Sequence, residues 1–510
     1  MIEIDGHHLS IEQVVSVSRH HEQVKISPTG LENISRVRGW LEEVLETDKP
    51  VYGINTGFGI FAEKRISQKD SAQLSRNLIL SHAVGTGPAL ADEIVRAAML
   101  VRANTLTKGF SGVRKEVIQT LLDMLSAGVT PEIPSQGSLG SSGDLSPLSH
   151  MVLVMSTDAQ DKAEESGWAV YQGKRMRGKD AMQAANLQRL ILGPKEGLAL
   201  NNGATFSAAL GALTVHDAKV LASTAEIALS MSLEALMGSS AAFDSRLHEA
   251  REQHGQMRVA TAVREYIAYS TLINGAGRVQ DAYSLRCAPQ VQGAVRDTVD
   301  YCAQIIEREI NAATDNPLLF SAEEIISGGN FHGEPVGLVM DFLGIAAAEL
   351  AAISERRIFR LTDGNLNSGL PPMLVDNAQA AGLNSGLMMP QYTAASLVLE
   401  NQTLAHPDSV HSLPTSGGQE DHNANAMTAA RHARQIMENV QHILAIELYT
   451  AARALDLRLK QFPEARLGAG TRKAFDIIRS AVPYQTGDAL WGPEIEIVKE
   501  MIRQETFDIS

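Results

Sequence analysis

Five stretches in the second half of this 510-residue chain, roughly 204–237, 290–312, 335–361, 386–404 and 424–459, repeat apolar residues at helical spacing. All five exceed the mean of about 12 residues for a globular helix. A long amphipathic helix needs apolar cover along its whole length, and long alanine-rich neighbours supply that cover in a bundle. Aromatics make up only 5% of the chain and alternating strand patterns are scarce, which argues against a sandwich or barrel.

The first half is helical but more broken. Ser10-Ile11-Glu12-Gln13 has the pattern of a capping box and predicts a helix start. Residues 31–46 and 66–82 carry helical spacing, as does Asp92 to Leu106 with Gly109 as terminator. Val117, Leu121, Leu122 and Leu125 form another apolar face, ended by Gly128 and Pro131. Glycine-rich breaks fall at 53–59, 85–88, 109–112 and 137–143. The expected fold class is therefore mainly α, with an irregular helical N-terminal part over 1–200 and a long-helix bundle with C-terminal helices over 201–510. Alanine-rich bundle faces often continue their packing between subunits, so self-association is the expectation.

The net charge of −15 argues against a nucleic-acid groove, which needs a basic face. Cys287 and Cys302 are too few for a disulfide scaffold and are expected to be reduced thiols. The opening M-I-E-I-D-G-H-H has acids where a secretory leader has bases. The uncharged run Gly197 to Val215 holds Asn201, Asn202, Thr205, Ser207 and three glycines, so it is a poor membrane span. It reads better as a buried helix or as a site loop entering one. The expectation is a cytoplasmic protein without membrane or nucleic-acid partners.

Polar, glycine-rich loops stand out against this helical background: Y-G-I-N-T-G-F-G (52–59), S-H-A-V-G-T-G (81–87), G-S-L-G-S-S-G-D-L (137–145), L-N-N-G (200–203), Q-D-A-Y-S-L-R (280–286), D-N-P-L (315–318), G-G-N-F-H-G-E-P (328–335) and Q-E-D-H (419–422). Common motifs are absent. No phosphate loop of the G-x-x-x-x-G-K-[ST] type occurs, and Gly275-Ala276-Gly277 lacks the third glycine of a dinucleotide fingerprint. No H-E-x-x-H occurs, no G-x-S-x-G elbow surrounds Ser142, and no ligand spacing supports a metal.

The stretch around Ser142 has a chemistry of its own. In a tight bend at Ser141-Ser142-Gly143, the Gly143 nitrogen can attack the Ser141 carbonyl carbon and close a five-membered ring with loss of water. Loss of the Ser142 hydroxyl as a second water leaves a 4-methylideneimidazol-5-one, an electron-poor alkene that no free side chain provides. The Ser141 side chain is not consumed.

Together these loops, in this order from about residue 50 to beyond 420, resemble the aromatic amino acid ammonia-lyase family, whose members form this group from Ala-Ser-Gly. The resemblance implies a helical fold of the fumarase–aspartase type and elimination of ammonia from an amino acid, a small-molecule substrate. It implies that Ser141, Ser142 and Gly143 supply the electrophile, that Tyr52 takes the β-proton, and that Tyr283 joins it in catalysis. Arg286 would hold the substrate carboxylate with its planar fork of donors. Gln280 and Asn202 would line the site, and Phe331 would cover it. Ser81-His82, V-Q-D-A-Y-S-L-R and Q-E-D-H are most similar to the histidine lyases, with His82 and Glu420 expected to meet an imidazole ring.

The chain departs from the family in having Ser141 before the reactive serine, and in L-N-N-G and N-G-A-G at 200–203 and 274–277. Tyrosine and phenylalanine lyases and 2,3-aminomutases of the same family remain alternatives at this level. A fumarase–aspartase enzyme would show a G-S-S-x-M-P-x-K-x-N signature, which is absent. A non-catalytic helical scaffold would not need so many polar loops.

Overall fold

The computed structural model describes residues 1–47, 51, 53–56, 64–67 and 70–507. Among them, eighteen α-helices dominate, and the strands form only small sheets of two or three. The mainly α fold expected from helical spacing is what the chain adopts. Two compact units emerge, each built from three segments: 1–216, 302–341 and 407–431 in the first, and 217–301, 342–406 and 432–510 in the second.

In the first unit, the capping box forms as its residues predict. Ser10 Oγ accepts from Gln13 N at 3.2 Å and Ser10 N donates to Gln13 Oε1 at 3.0 Å, starting helix Ile11–Arg19. Helix Asp92–Thr107 is buried from Ile94 onward on every face. It packs against Ile11–Arg19 and Lys115–Ala127, the latter ending at Gly128. An all-round buried helix must satisfy its polar side chains inside the protein. Arg96 does so by donating to Val17 O at 2.9 Å, Ser18 O at 3.3 Å and Leu125 O at 3.1 Å. These carbonyls lie in the last turns of both neighbouring helices, where a cation also meets the negative end of the helix dipole. Arg102, further along the same helix, reaches the functional site.

The run Gly197 to Val215 is buried throughout and splits into two helices, Glu196–Asn201 and Thr205–Ala235, with a polar break between them. The reading as a buried helix therefore holds, with a break at 202–204 that divides it. Glu334–Thr362 is long and apolar enough to cross a bilayer by length and composition, but most of its apolar window is buried inside the protein, as in a core helix.

The second unit holds most of the residues of the long helices Thr205–Ala235, Ala288–Glu309, Glu334–Thr362 and Ala426–Gln461. Glu447 ties three of them together. Its carboxylate accepts from Ser232 Oγ at 2.7 Å and Ser354 Oγ at 2.6 Å, and pairs with both Arg357 Nε and Nη2. The Arg357 and Glu447 side chains are wholly buried. Removing one partner of such a pair strands a charge, whereas replacing both is far cheaper. Glu447→Gln is expected to cost about 3–5 kcal/mol in chemical unfolding, and the double change Arg357→Met with Glu447→Leu much less. Equal losses for the two would contradict this account of the bundle.

Candidate active site

The loop 137–144 enters helix Leu145–Met155 through a backbone bend that only glycines permit. Gly143 has φ +78°, and an added Cβ would sit 2.0 Å from the Gly203 carbonyl carbon. Gly203 has φ +109°, and its own Cβ would meet the Thr314 carbonyl oxygen at 2.1 Å. The two backbones therefore touch, in a short parallel bridge. Gly203 N donates to Ser142 O at 3.0 Å, and Asp144 N donates to Gly203 O at 2.9 Å.

The Ser142 carbonyl receives a second donor. With the Asn202 amide oriented to face acceptors with its nitrogen, it donates to Ser142 O at 2.9 Å and accepts from Asn316 N at 3.1 Å. Two preorganised donors on one carbonyl oxygen have the geometry of an oxyanion hole. On the other side, Ser141 Oγ donates to Glu420 Oε2 at 3.2 Å and Ser142 Oγ to Glu420 Oε1 at 3.1 Å. Glu420 projects from a tight turn closed by Thr415 N donating to Glu420 O at 2.7 Å.

His82 ends helix Ser71–His82, with its Nδ1 2.9 Å from Ser81 Oγ. Burial pushes its imidazolium below the ordinary histidine value, against the pull of the Leu78 carbonyl and the Glu420 charge. The ring is thus neutral near pH 7, able to offer one donor and one acceptor. Phe331 is half-buried, two residues before Gly333, whose N donates to Gly140 O at 2.9 Å. His332 stacks on His422 with ring centroids 5.9 Å apart. The first unit therefore gathers Ser141, Ser142, Gly143, Asn202, His82 and Glu420 around one bend, with Phe331 on a loop that touches it.

Gln280, Tyr283 and Arg286 lie on one segment of the second unit. Arg286 Nε donates to Asp281 O at 2.9 Å, and its guanidinium lies 4.6 Å from the centre of the Tyr283 ring. Gln280 and Tyr283 are exposed. Tyr52 lies outside the described residues.

Sequence reasoning missed the buried frame beneath the bend. Arg102 is fully buried and donates to Ala199 O at 2.9 Å, Asn202 O at 2.6 Å, Thr205 Oγ1 at 2.7 Å and Thr314 Oγ1 at 3.0 Å. Burial lowers its pKa to about 10, so it remains charged at neutral pH. Asp144 accepts from Ser207 N at 2.8 Å, Ser207 Oγ and Ser138 Oγ. Burial nevertheless raises its pKa above that of an ordinary carboxyl. Lys195 and Asp315, both wholly buried, pair at 2.6 Å. G-D-L and D-N-P-L pointed to Asp144 and Asp315 as members of polar loops, but Arg102 and Lys195 carried no such signal.

The residues at the bend fit a methylideneimidazolone. Ring closure leaves the Ser142 carbonyl as the ring oxygen, already held by Gly203 N and Asn202. The Ser142 hydroxyl, which must leave, lies against a carboxylate. Gly143 sits where no side chain fits.

The aromatic amino acid lyase family model matches residues 9–480, and the chain belongs to that family. It is a carbon–nitrogen lyase. A histidine ammonia-lyase from Caldanaerobacter subterraneus is 50% identical over 482 residues, spanning 94% of this chain and 92% of its own. Among solved structures, histidine ammonia-lyase from Trypanosoma cruzi matches with TM-score 0.90 and 36% identity, covering 99% of this chain and 94% of its own. Tyrosine aminomutase from Streptomyces globisporus matches with TM-score 0.92 and 34% identity, covering 99% and 97%.

Glu309 closes the electrostatic frame. Burial pushes its carboxyl up to about 7, Asp144 adds to the rise, and Arg102 opposes it. Between the unfolded value of 4.5 and about 7, the folded chain holds a proton that the unfolded chain releases. Stability therefore falls as pH rises through this window. Glu309→Gln should gain about 1–3 kcal/mol on the unaltered chain between pH 5 and pH 8 in denaturant titrations. Parallel pH profiles would contradict the assignment.

Proposed function

We propose that the protein eliminates ammonia from L-histidine to give trans-urocanate, using a methylideneimidazolone built from Ser141-Ser142-Gly143. The observation that carries the substrate reading is the Glu420 carboxylate on the serine hydroxyls with His82 in its field. A carboxylate and a neutral imidazole suit a substrate ring that donates and accepts hydrogen bonds, and they suit bare phenyl poorly. The names of the relatives at 46–50% identity support the same reading.

Once formed, the group supplies an electron-poor alkene that turns the substrate nitrogen into a better leaving group. The chain's own residues do the rest. Gly203 N and the Asn202 amide would hold the oxygen of that group as a pair of preorganised donors. Tyr52 removes the β-proton, a task that requires its site to lower a phenol pKa of about 10. Arg286 binds the substrate carboxylate, with Tyr283 and Gln280 beside it on the same segment, and Phe331 covers the site. His82 and Glu420 read the imidazole. We further propose a cytoplasmic homotetramer in which residues 1–200 carry the electrophile and 201–510 the long-helix bundle.

A second reading, a tyrosine or phenylalanine lyase or a 2,3-aminomutase, draws on the equally extensive match to tyrosine aminomutase. Product analysis separates them. Incubation with L-histidine should yield conjugated, ultraviolet-absorbing urocanate and free ammonia, and turnover of tyrosine or phenylalanine alone, or a β-amino acid product, would overturn the reading. In steady-state assays Asn202→Ala should lower kcat by about 10²–10³-fold, the loss usual for one oxyanion donor, with a smaller effect on KM.

A further inference from the structure

Ser141 stands where the family usually has alanine, and its hydroxyl is not idle. Glu420 presents two carboxylate oxygens, and each accepts from one serine: Oε2 from Ser141 at 3.2 Å and Oε1 from Ser142 at 3.1 Å. These are the hydrogen bonds to its side chain among the described residues. The two serines have different fates. Ring closure and dehydration expel the Ser142 hydroxyl as water, which frees Oε1. The same chemistry uses only the backbone carbonyl carbon of Ser141 and leaves its hydroxyl in place.

Ser141 is buried, so water cannot readily replace Glu420 as its partner. Glu420 is half-buried on a turn that holds it by the backbone, and the nearby His82 is neutral rather than a counter-ion. The carboxylate thus depends on neutral donors for its orientation.

We propose that Ser141 is a positioning residue. Its hydroxyl holds Oε2 of Glu420 so that Oε1, vacated when Ser142 loses its oxygen, faces the N–H of the substrate ring. This rests on the histidine reading above and adds to it a specificity device that an Ala-Ser-Gly triplet lacks. A hydrogen bond to a charged group is stronger than one between neutral groups, and it fixes a carboxylate that would otherwise pay rotamer entropy on binding.

The test separates positioning from cofactor formation by working where no electrophile can form. In full-length Ser142→Ala, which also lacks the second hydroxyl, calorimetry measures the affinity for L-histidine and for L-phenylalanine. Adding Ser141→Ala should weaken L-histidine binding by about tenfold and leave L-phenylalanine within about twofold, and Ser141→Thr in its place should restore L-histidine affinity. Unchanged L-histidine affinity, or equal weakening of both ligands, overturns the Ser141 role alone. Failure of both variants to bind L-histidine, with no turnover of it by the unaltered chain, overturns the histidine reading and the Ser141 role with it. Unfolding midpoints of the variants exclude loss of fold as the cause.

Discussion

Gly143 and Gly203 lie backbone against backbone, and the site is organised around that contact. Neither tolerates a Cβ: one would strike the Gly203 carbonyl carbon at 2.0 Å, the other the Thr314 oxygen at 2.1 Å. Because the contact is made without side chains, the peptide bond of Gly203 can aim its N–H at Ser142 O while its carbonyl receives Asp144 N. The bend is thereby gripped on both sides of the residue that must react. A loop free to relax would adopt an ordinary serine-glycine turn, and the proximity that ring closure needs would be lost.

Such a grip requires a rigid support, and the protein provides it with buried charge. Arg102 satisfies carbonyls of Ala199 and Asn202 and hydroxyls of Thr205 and Thr314 at once, so the break between two helices becomes fixed. Asp144, the half-buried Glu309 and the buried Lys195–Asp315 pair surround it. Buried groups of this kind stabilise only when their hydrogen bonds are nearly complete. Here they are spent on immobilising polar backbone inside an otherwise apolar helical unit. The same low-dielectric surroundings strengthen the two donors on the Ser142 carbonyl.

The long helices were legible because length and alanine content leave few other options. Stretches read at 335–361 and 424–459 fold as Glu334–Thr362 and Ala426–Gln461. The capping box at Ser10 was legible because it is local chemistry between neighbours. The bend was legible as a chemical possibility, since three small residues in a glycine-rich loop limit what the backbone can do. Its partners were not. Glu420 lies 278 residues from Ser142, and Thr314 lies 212 from Arg102. An arginine inside an apolar helical pattern carries no mark that distinguishes a buried clamp from a surface residue. Q-E-D-H could be singled out as polar, while the particular oxygens that Ser141 and Ser142 reach are a product of folding alone.

The central claim is covalent, so mass decides it. Fragmentation of the native chain's peptide spanning Ser141-Ser142-Gly143 should find those three residues lighter by two waters, with the rest of the peptide at its expected mass. An unmodified triplet in a preparation that deaminates its substrate would contradict the account.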